Sequence, residues 1–362
     1  MDKIRNIAGK GFALAAITGL VICSTSAGKS QMQAWGGNFS STQQSAILYG
    51  TSDIHYISKN EASHKNIRLP QIIADSSTLK LTKPNSSEPG MQFGLWIQDR
   101  TRGFDKTALA KLQGITVYKT AIVLNTYNSE EPDNNIKAMN EAGITAFVVA
   151  TWDAKSSGLF VRDTVSLRDR MRMFLAANKG LKFIVSFEDE VATNKFFVDD
   201  MQLYLKGLSV VVNECHKYGI QATNSGDHLM YALMIANGEH TRNHNEDDVL
   251  VLLSGYKNIP IDFVNLHNGS EQSEADFKKA IGKIKELTGK DNFIMSAHVF
   301  KQGDPGALAP MIKLYRDNGF KLFMPFDNAD GVSRGASGAG FHLLGQQQLT
   351  DWGNEYKRII NE

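Results

Sequence analysis

"EADFKKAIGKIKELTGKDNFIMSAHVF", residues Glu274–Phe300, reads in two halves. In the first, Phe277, Ala280, Ile281, Ile284 and Leu287 recur at spacings of three and four, which gives a helix one apolar stripe. Gly289 then stands where a left-handed residue stops a helix. The second half, Asn292–Phe300, is a short apolar run of the kind that fills a parallel sheet covered on both faces. Helix, glycine and buried strand make one α/β unit, and the fold depends on how often that unit recurs.

It recurs along most of the chain. The apolar runs are "FGLWI", "YKTAIVLN", "TAFVVAT", "LKFIVSF", "GIQATNS", "DFVNLH", "NFIMSAHVF" and "KLFMPFD". Between them lie amphipathic segments such as "NNIKAMNEAG", "RDRMRMFLAANKG", "MQLYLKGLSVVVNECHKYG" and "PGALAPMIKLYRDNG", with "QQLTDWGNEYKRII" closing the chain. Gly180, Gly219 and Gly319 are placed as Gly289 is. Eight strands alternating with helices over roughly 270 residues match the usual size of a (β/α)8 TIM barrel. A doubly wound open sheet is the other α/β arrangement, but no Gly-rich phosphate loop follows any strand. A (β/α)8 barrel is therefore expected over residues 91–362.

The remainder divides in two. Lys3, Arg5 and Lys10 precede an apolar run from Phe12 to Cys23 and the small residues Thr25-Ser26-Ala27. That is the layout of a secretory signal peptide, residues 1–27, and the run is short for a membrane span. Cys23 offers lipid anchoring as a rival, although Ile22 is bulky for lipoprotein processing. Residues 28–90 form a polar extension rich in Ser, Gln, Asn and Thr. A secreted or periplasmic protein is expected, with no integral span once the signal is removed. Cys215 is then the remaining cysteine, so no internal disulfide can form and a large core must hold the fold. Cys215 lies on the apolar face of its helix, as a buried thiol.

The whole chain has 362 residues, a hydrophobic content of 42% and a charged content of 21%, as soluble globular proteins do. A net charge of +1 provides no field that would favour nucleic acid or a membrane surface.

In such a barrel the site lies at the C-terminal ends of the strands. Those ends carry Asp99, Asn125, Trp152, Glu188, Asp189, Glu190, Asn224, Asp227, Asn265, His267, His298, Asp327 and Asn328. Carboxylates, amides, imidazoles and aromatic rings gathered on one rim suit a carbohydrate ligand, which needs hydrogen-bonding partners and flat apolar faces. Trp96 and Trp152 would stack on sugar rings or plug the barrel. Asp and Asn at strand ends also start turns and cap helices, so part of this set is structural. Three acids in succession in "FIVSFEDE" repel one another, which can keep one protonated as a general acid requires. No cofactor is expected, and no metal is assigned to this rim.

The succession "FIVSFEDE", "ECHKYGIQATNSG", "IPIDFVNLHNGS" and "FKKAIGKIKELTGKDNFIMSAHVF" resembles the clan A glycoside hydrolases, the (β/α)8 retaining glycosidases, especially family 39-like and family 5-like members. It covers about residues 91–345. The resemblance implies a poly- or oligosaccharide substrate. It also implies an acid/base role for Glu190, which ends the fourth strand in the pair Asp189-Glu190, and a place near the sugar for His267. The nucleophilic glutamate of the seventh strand falls on His298, and no carboxylate occurs between Asp291 and Asp304. Retaining hydrolysis needs two carboxyl groups about 5 Å apart. Asp327 or Glu188 is therefore expected to assist Glu190, with Asp327 or Asp227 able to activate a water for inversion at about 6.5–9.5 Å. Asp99, Trp152, Asn224, Asp227, Asn265, His267, His298 and Asn328 would hold the sugar. The alternative is a catalytically impaired carbohydrate-binding or surface protein. A third reading rests on "HTRNH", which with "SFEDE" resembles the metal-binding elements of NodB-type polysaccharide deacetylases through His240 and His244.

Overall fold

The computed structural model describes residues 90–97, 104, 112–152, 163–193, 200–242, 244–269, 272–298, 304–327 and 349–362, without the side chains of Ile97 and Asp327. The signal peptide, nearly all of the polar extension, Asp99 and Asn328 lie outside those residues.

The apolar runs form nine strands: β1 (Gln92–Ile97), β2 (Val117–Val123), β3 (Thr145–Thr151), β4 (Phe183–Phe187), β5 (Gln221–Thr223), β6 (Asp227–His228), β7 (Val264–Asn268), β8 (Phe293–His298) and β9 (Phe320–Asp327). Every pairing is parallel, in the order β5-β4-β3-β2-β1-β9-β8-β7-β6. β5 lies within the fifth expected run, "GIQATNS", and β6 continues the same ribbon beyond it, after Asn224-Ser225-Gly226. An isolated bridge pairs Thr223 with Phe263, and the Asp262 N–H donates to the Ala222 carbonyl at 2.9 Å, so β5 meets the approach to β7 and the ring closes. This is the (β/α)8 barrel, with one ribbon broken at Asn224-Ser225-Gly226.

Around it run α1 (Asn134–Glu141), α2 (Thr164–Ala177), α3 (Met201–Lys217), α4 (Leu229–Asn237), α5 (Asn245–Tyr256), α6 (Glu274–Thr288), α7 (Leu308–Asp317) and α8 (Asp351–Asn361). Aspartates 133, 163 and 200 start α1, α2 and α3 by accepting two backbone N–H groups each, and Gly289 ends α6 in the left-handed conformation. Helices α4 and α5 are additions to the expected set, inserted between β6 and β7. Among the described residues, no helix is long and apolar enough to cross a membrane.

Two cores follow from strand alternation. Outward residues and the helix stripes form the larger one, which includes Cys215, whose thiol burial pushes up in pKa. Inward residues Val117, Phe147, Val149, Ile184, Phe263, Ile294, Leu322 and Met324 fill the barrel's lower interior. The last helix is tied to the first strand by Tyr356, whose buried hydroxyl donates to the Gly94 carbonyl at 2.7 Å. Tyr356→Phe leaves the ring packing intact but removes that donor. Urea unfolding should show a loss of about 1–2 kcal/mol; no change would mean that water replaces the hydroxyl.

Candidate functional site

Above the apolar filling, the inward positions turn polar. Following the alternation from Val117, Ile184, Phe263 and Ile294 leads to Lys119, Ser186, Asn265, His267 and Ser296. The backbone after β4 then reverses direction twice. Glu188 and Glu190 both adopt positive φ, 60° and 50°, which is costly for residues with a Cβ. The reversals send the acids Glu188, Asp189 and Glu190 to different partners instead of stacking their charges. Glu190 is pinned through its backbone: its N–H donates to the Ser225 carbonyl at 3.0 Å, and its carbonyl accepts from the Thr193 N–H.

The Glu190 side chain retains 26% exposure and reaches two buried imidazoles, His267 Nδ1 at 2.7 Å and His228 Nε2 at 3.4 Å from Oε1. Burial alone pushes this carboxyl up, but the neighbouring His228 and His267 overcome it and hold the pKa well below the usual range. A carboxylate can only accept, so Nδ1 of His267 carries the proton, and Nε2 is left to accept from Ser296 Oγ at 3.0 Å. Burial, then the charge of Lys119, keep the His267 pKa low, in keeping with a neutral ring. Gly226 is required here. Its φ is +86°, and a Cβ on it would stand 2.4 Å from His267 Nε2.

Asp189 faces the other side of that ring, 3.7 Å from Nε2, and pairs with Lys119 Nζ at 3.3 Å. The Lys119 ammonium also sits 3.5 Å from the centroid of Trp96, whose ring packs on Phe326. Burial lowers the Lys119 pKa although Asp189 and Glu190 oppose the shift. Glu188 is different again. It is fully buried, its Oε1 accepts the Trp152 N–H at 2.7 Å, and burial pushes it up to about 8. Two carboxyl groups two residues apart are thus driven in opposite directions, which is the electrostatic pattern of an acid and a base.

The other expected residues lie elsewhere. Asn224 substitutes for the missing ladder at the ribbon break: its Oδ1 accepts the Asn265 N–H at 2.7 Å and its Nδ2 donates to the Asn265 carbonyl at 2.9 Å. Asn265 reaches back to the Asn224 carbonyl and to Ser186. Asp227 pairs with outward-facing Leu266 and accepts from Tyr256 of α5 and from Asn224, so it lies under the helix layer and not at the opening. Burial pushes Asp227 up to about 6.

His298 is a correction of the same kind. Strict alternation from Ile294 would turn it inward, but β8 carries one extra residue between Met295 and Ala297 relative to β7. Ser296 keeps the inward place beside His267 that alternation gives it, and the extra residue turns His298 outward. There its Nδ1 meets the Tyr315 hydroxyl of α7 at 2.9 Å, while Asn268 donates to that hydroxyl from β7. Burial lowers the His298 pKa to about 3, so the ring is neutral.

Asp327 ends β9 opposite Ile97, and Asn125 lies in the turn after β2. Exposed His240 and His244 join buried Glu246 and exposed Asp247, not the acids after β4. Lys119, His228 and Ser296 were not anticipated. A lysine inside the apolar run "VYKTAIV" and a serine two residues after Ile294 were visible signals, whereas His228 is brought to the site only through the ribbon break.

The chain matches no family model and no curated protein. It is similar in structure to a family 1 β-glucosidase from Thermotoga maritima, at 12% identity and a TM-score of 0.47, over 70% of this chain and 84% of that one. It is also similar to a GH128 (subgroup II) endo-β-1,3-glucanase from Sorangium cellulosum, at 11% identity and 0.48, over 74% and 97%. A GH128 (subgroup I) endo-β-1,3-glucanase from Amycolatopsis mediterranei, in complex with laminaritriose, gives 11% and 0.43, over 74% and 99%. All three are glycoside hydrolases. At these values the likenesses match no residue of this chain to a role.

The Glu188 shift has a consequence for stability. Its folded pKa is about 8, above the unfolded value of 4.5, so the unfolded chain releases this proton first. The contribution is fully present below pH 4.5 and is lost as pH rises to about 8, at about 1.4 kcal/mol per pH unit. Glu188→Gln removes the group and keeps an acceptor for Trp152. Chemical unfolding of the two proteins from pH 4.5 to 8 should show the variant gaining steadily on the wild type; parallel curves would place the Glu188 pKa at its ordinary value.

Proposed function

We propose that this chain is a glycoside hydrolase-like protein that acts on a poly- or oligosaccharide, with Glu190 as its acid/base group. The observation that carries the reading is a half-buried carboxylate at the C-terminal end of the barrel, held by two imidazoles from neighbouring ribbons beside half-buried Trp96, over whose ring Lys119 lies. An indole ring offers the face on which a sugar stacks, and a fixed carboxylate offers the proton acceptor. Export from the cell, through the signal-like residues 1–27, belongs to the same proposal.

Electrostatics sets the direction of proton flow. Glu190 is an anion in the free protein, so it enters the reaction as the base: it takes a proton from a water, whose oxygen bonds to the anomeric carbon as the glycosidic bond breaks. His267 donates to the same carboxylate and fixes its orientation. The departing oxygen needs a proton from a second acid. Asp327, at the end of β9, and Glu188, which stays protonated to about pH 8 although it is buried, are the two candidates for that acid. Two carboxyl groups working through a water correspond to inversion, the outcome expected when no nucleophile sits on the seventh ribbon.

A second reading has its own support. The inward residue of β8 is Ser296, not a carboxylate, and Glu188 is buried. A barrel with that composition can hold a sugar without cutting it, as a carbohydrate-binding protein would.

The experiment is product formation and binding on a panel of β- and α-linked oligosaccharides. Glu190→Gln should lower turnover by about 10²–10⁴-fold while binding persists. The wild-type rate should fall as pH rises through about 8 and again as pH drops below the ordinary carboxylate range, and Glu188→Gln should remove the alkaline limb. Binding without product by the wild type would favour the second reading, and neither binding nor product would remove both.

A further inference from the structure

Helices α4 and α5 meet at a corner that the sugar site does not use. Gly238 ends α4 with φ +69°, and His244 precedes α5 with φ 51°. The corner brings four side chains together. His240 Nδ1 is 3.4 Å from Glu246 Oε1 and 4.0 Å from Asp247 Oδ1. His244 Nδ1 is 3.0 Å from Asp247 Oδ2 and 4.0 Å from Glu246 Oε1.

We propose that this corner is a binding site for one divalent transition-metal ion of the zinc kind, ligated by His240, His244, Glu246 and Asp247. Bonds of about 2.1 Å to a tetrahedral ion put neighbouring ligand atoms about 3.4 Å apart. The four contacts lie on both sides of that value, and the ligand atoms all fall within 4.8 Å of one another. The donor set is two imidazole nitrogens and two carboxylate oxygens, which suits zinc and not the all-oxygen preference of calcium or magnesium. Four protein ligands close the coordination sphere, which makes the ion structural.

The supporting shell is also built. Glu246 is the anchored member, its side chain only 2% exposed. Thr241 donates its hydroxyl to Oε2 at 2.6 Å and its N–H to Oε1 at 2.9 Å. The histidines, 67% and 66% exposed, complete the set from the solvent side. Asn245, next to His244, donates to the Tyr231 hydroxyl at 3.1 Å, and the Tyr231 ring lies edge-on to His228. Binding at the corner would therefore brace the α4 wall behind the histidine that faces Glu190. The site itself does not depend on the sugar reading.

A second group, Glu190 with His228 and His267, also brings three ligand atoms together, so the test must tell the two apart. The untagged full chain, stripped with chelator, is titrated with zinc chloride by calorimetry and followed by thermal unfolding. One ion per chain should bind and raise the melting temperature. His240→Ala/His244→Ala should lose more than the about 10–100-fold in affinity that removing a supporting partner such as Thr241 costs. His228→Ala/His267→Ala should bind as the wild type does. The absence of saturable binding, undiminished binding in the first pair of substitutions, or loss of binding in the second would each overturn the proposal.

Discussion

The ring closes across a gap. Where the fifth ribbon breaks at Asn224-Ser225-Gly226, the side chain of Asn224 makes to Asn265 the two hydrogen bonds that a continuous strand would have made with its backbone. Without those bonds, polar backbone would be buried unpaired at the seam, at a cost of about 1–3 kcal/mol for each group. The same break supplies the site. The Ser225 carbonyl accepts from Glu190, Gly226 leaves room for the His267 ring, and the piece that resumes as β6 delivers His228. Closure and the geometry around Glu190 are one constraint.

Burial then separates charges that the chain places side by side. Two left-handed residues let Glu188 turn into the wall and Glu190 turn towards two imidazoles, with Asp189 directed to Lys119. One carboxyl is held as an acid and the other as an anion. The backbone strain at both positions is compatible with a site whose groups must be held apart, and the surrounding network of Tyr204, Ser225 and Thr193 keeps that backbone in place.

Most of the fold was legible because a buried parallel strand needs an apolar run and its helix needs a stripe. The eight runs became the ribbons, and Gly289 stops its helix as expected. Helices α4 and α5 carry no such stripe: "LMYALMIAN" is apolar almost all round and "NEDDVLVLLSGY" groups its apolar residues in sequence, so the period was hidden. In the site, Glu190, His267 and Glu188 could be read from the ribbon ends, since each lies where strict alternation puts it or one turn beyond. His298 could not. A single extra residue in β8 reverses the faces after it, and no composition signal marks a bulge at Ser296. The inward residue near the end of β8 is a serine, and His298 packs against Tyr315.

The central claim is that His228 and His267 hold Glu190 as an anion at the open end of the barrel. Its most direct measurement is a carboxyl titration by ¹³C NMR on the glutamate-labelled chain, with the resonance assigned through Glu190→Gln. Glu190 should titrate well below the usual carboxylate range and move upward when His267→Ala is introduced. A midpoint at or above 4.5, unmoved by that substitution, would contradict the account.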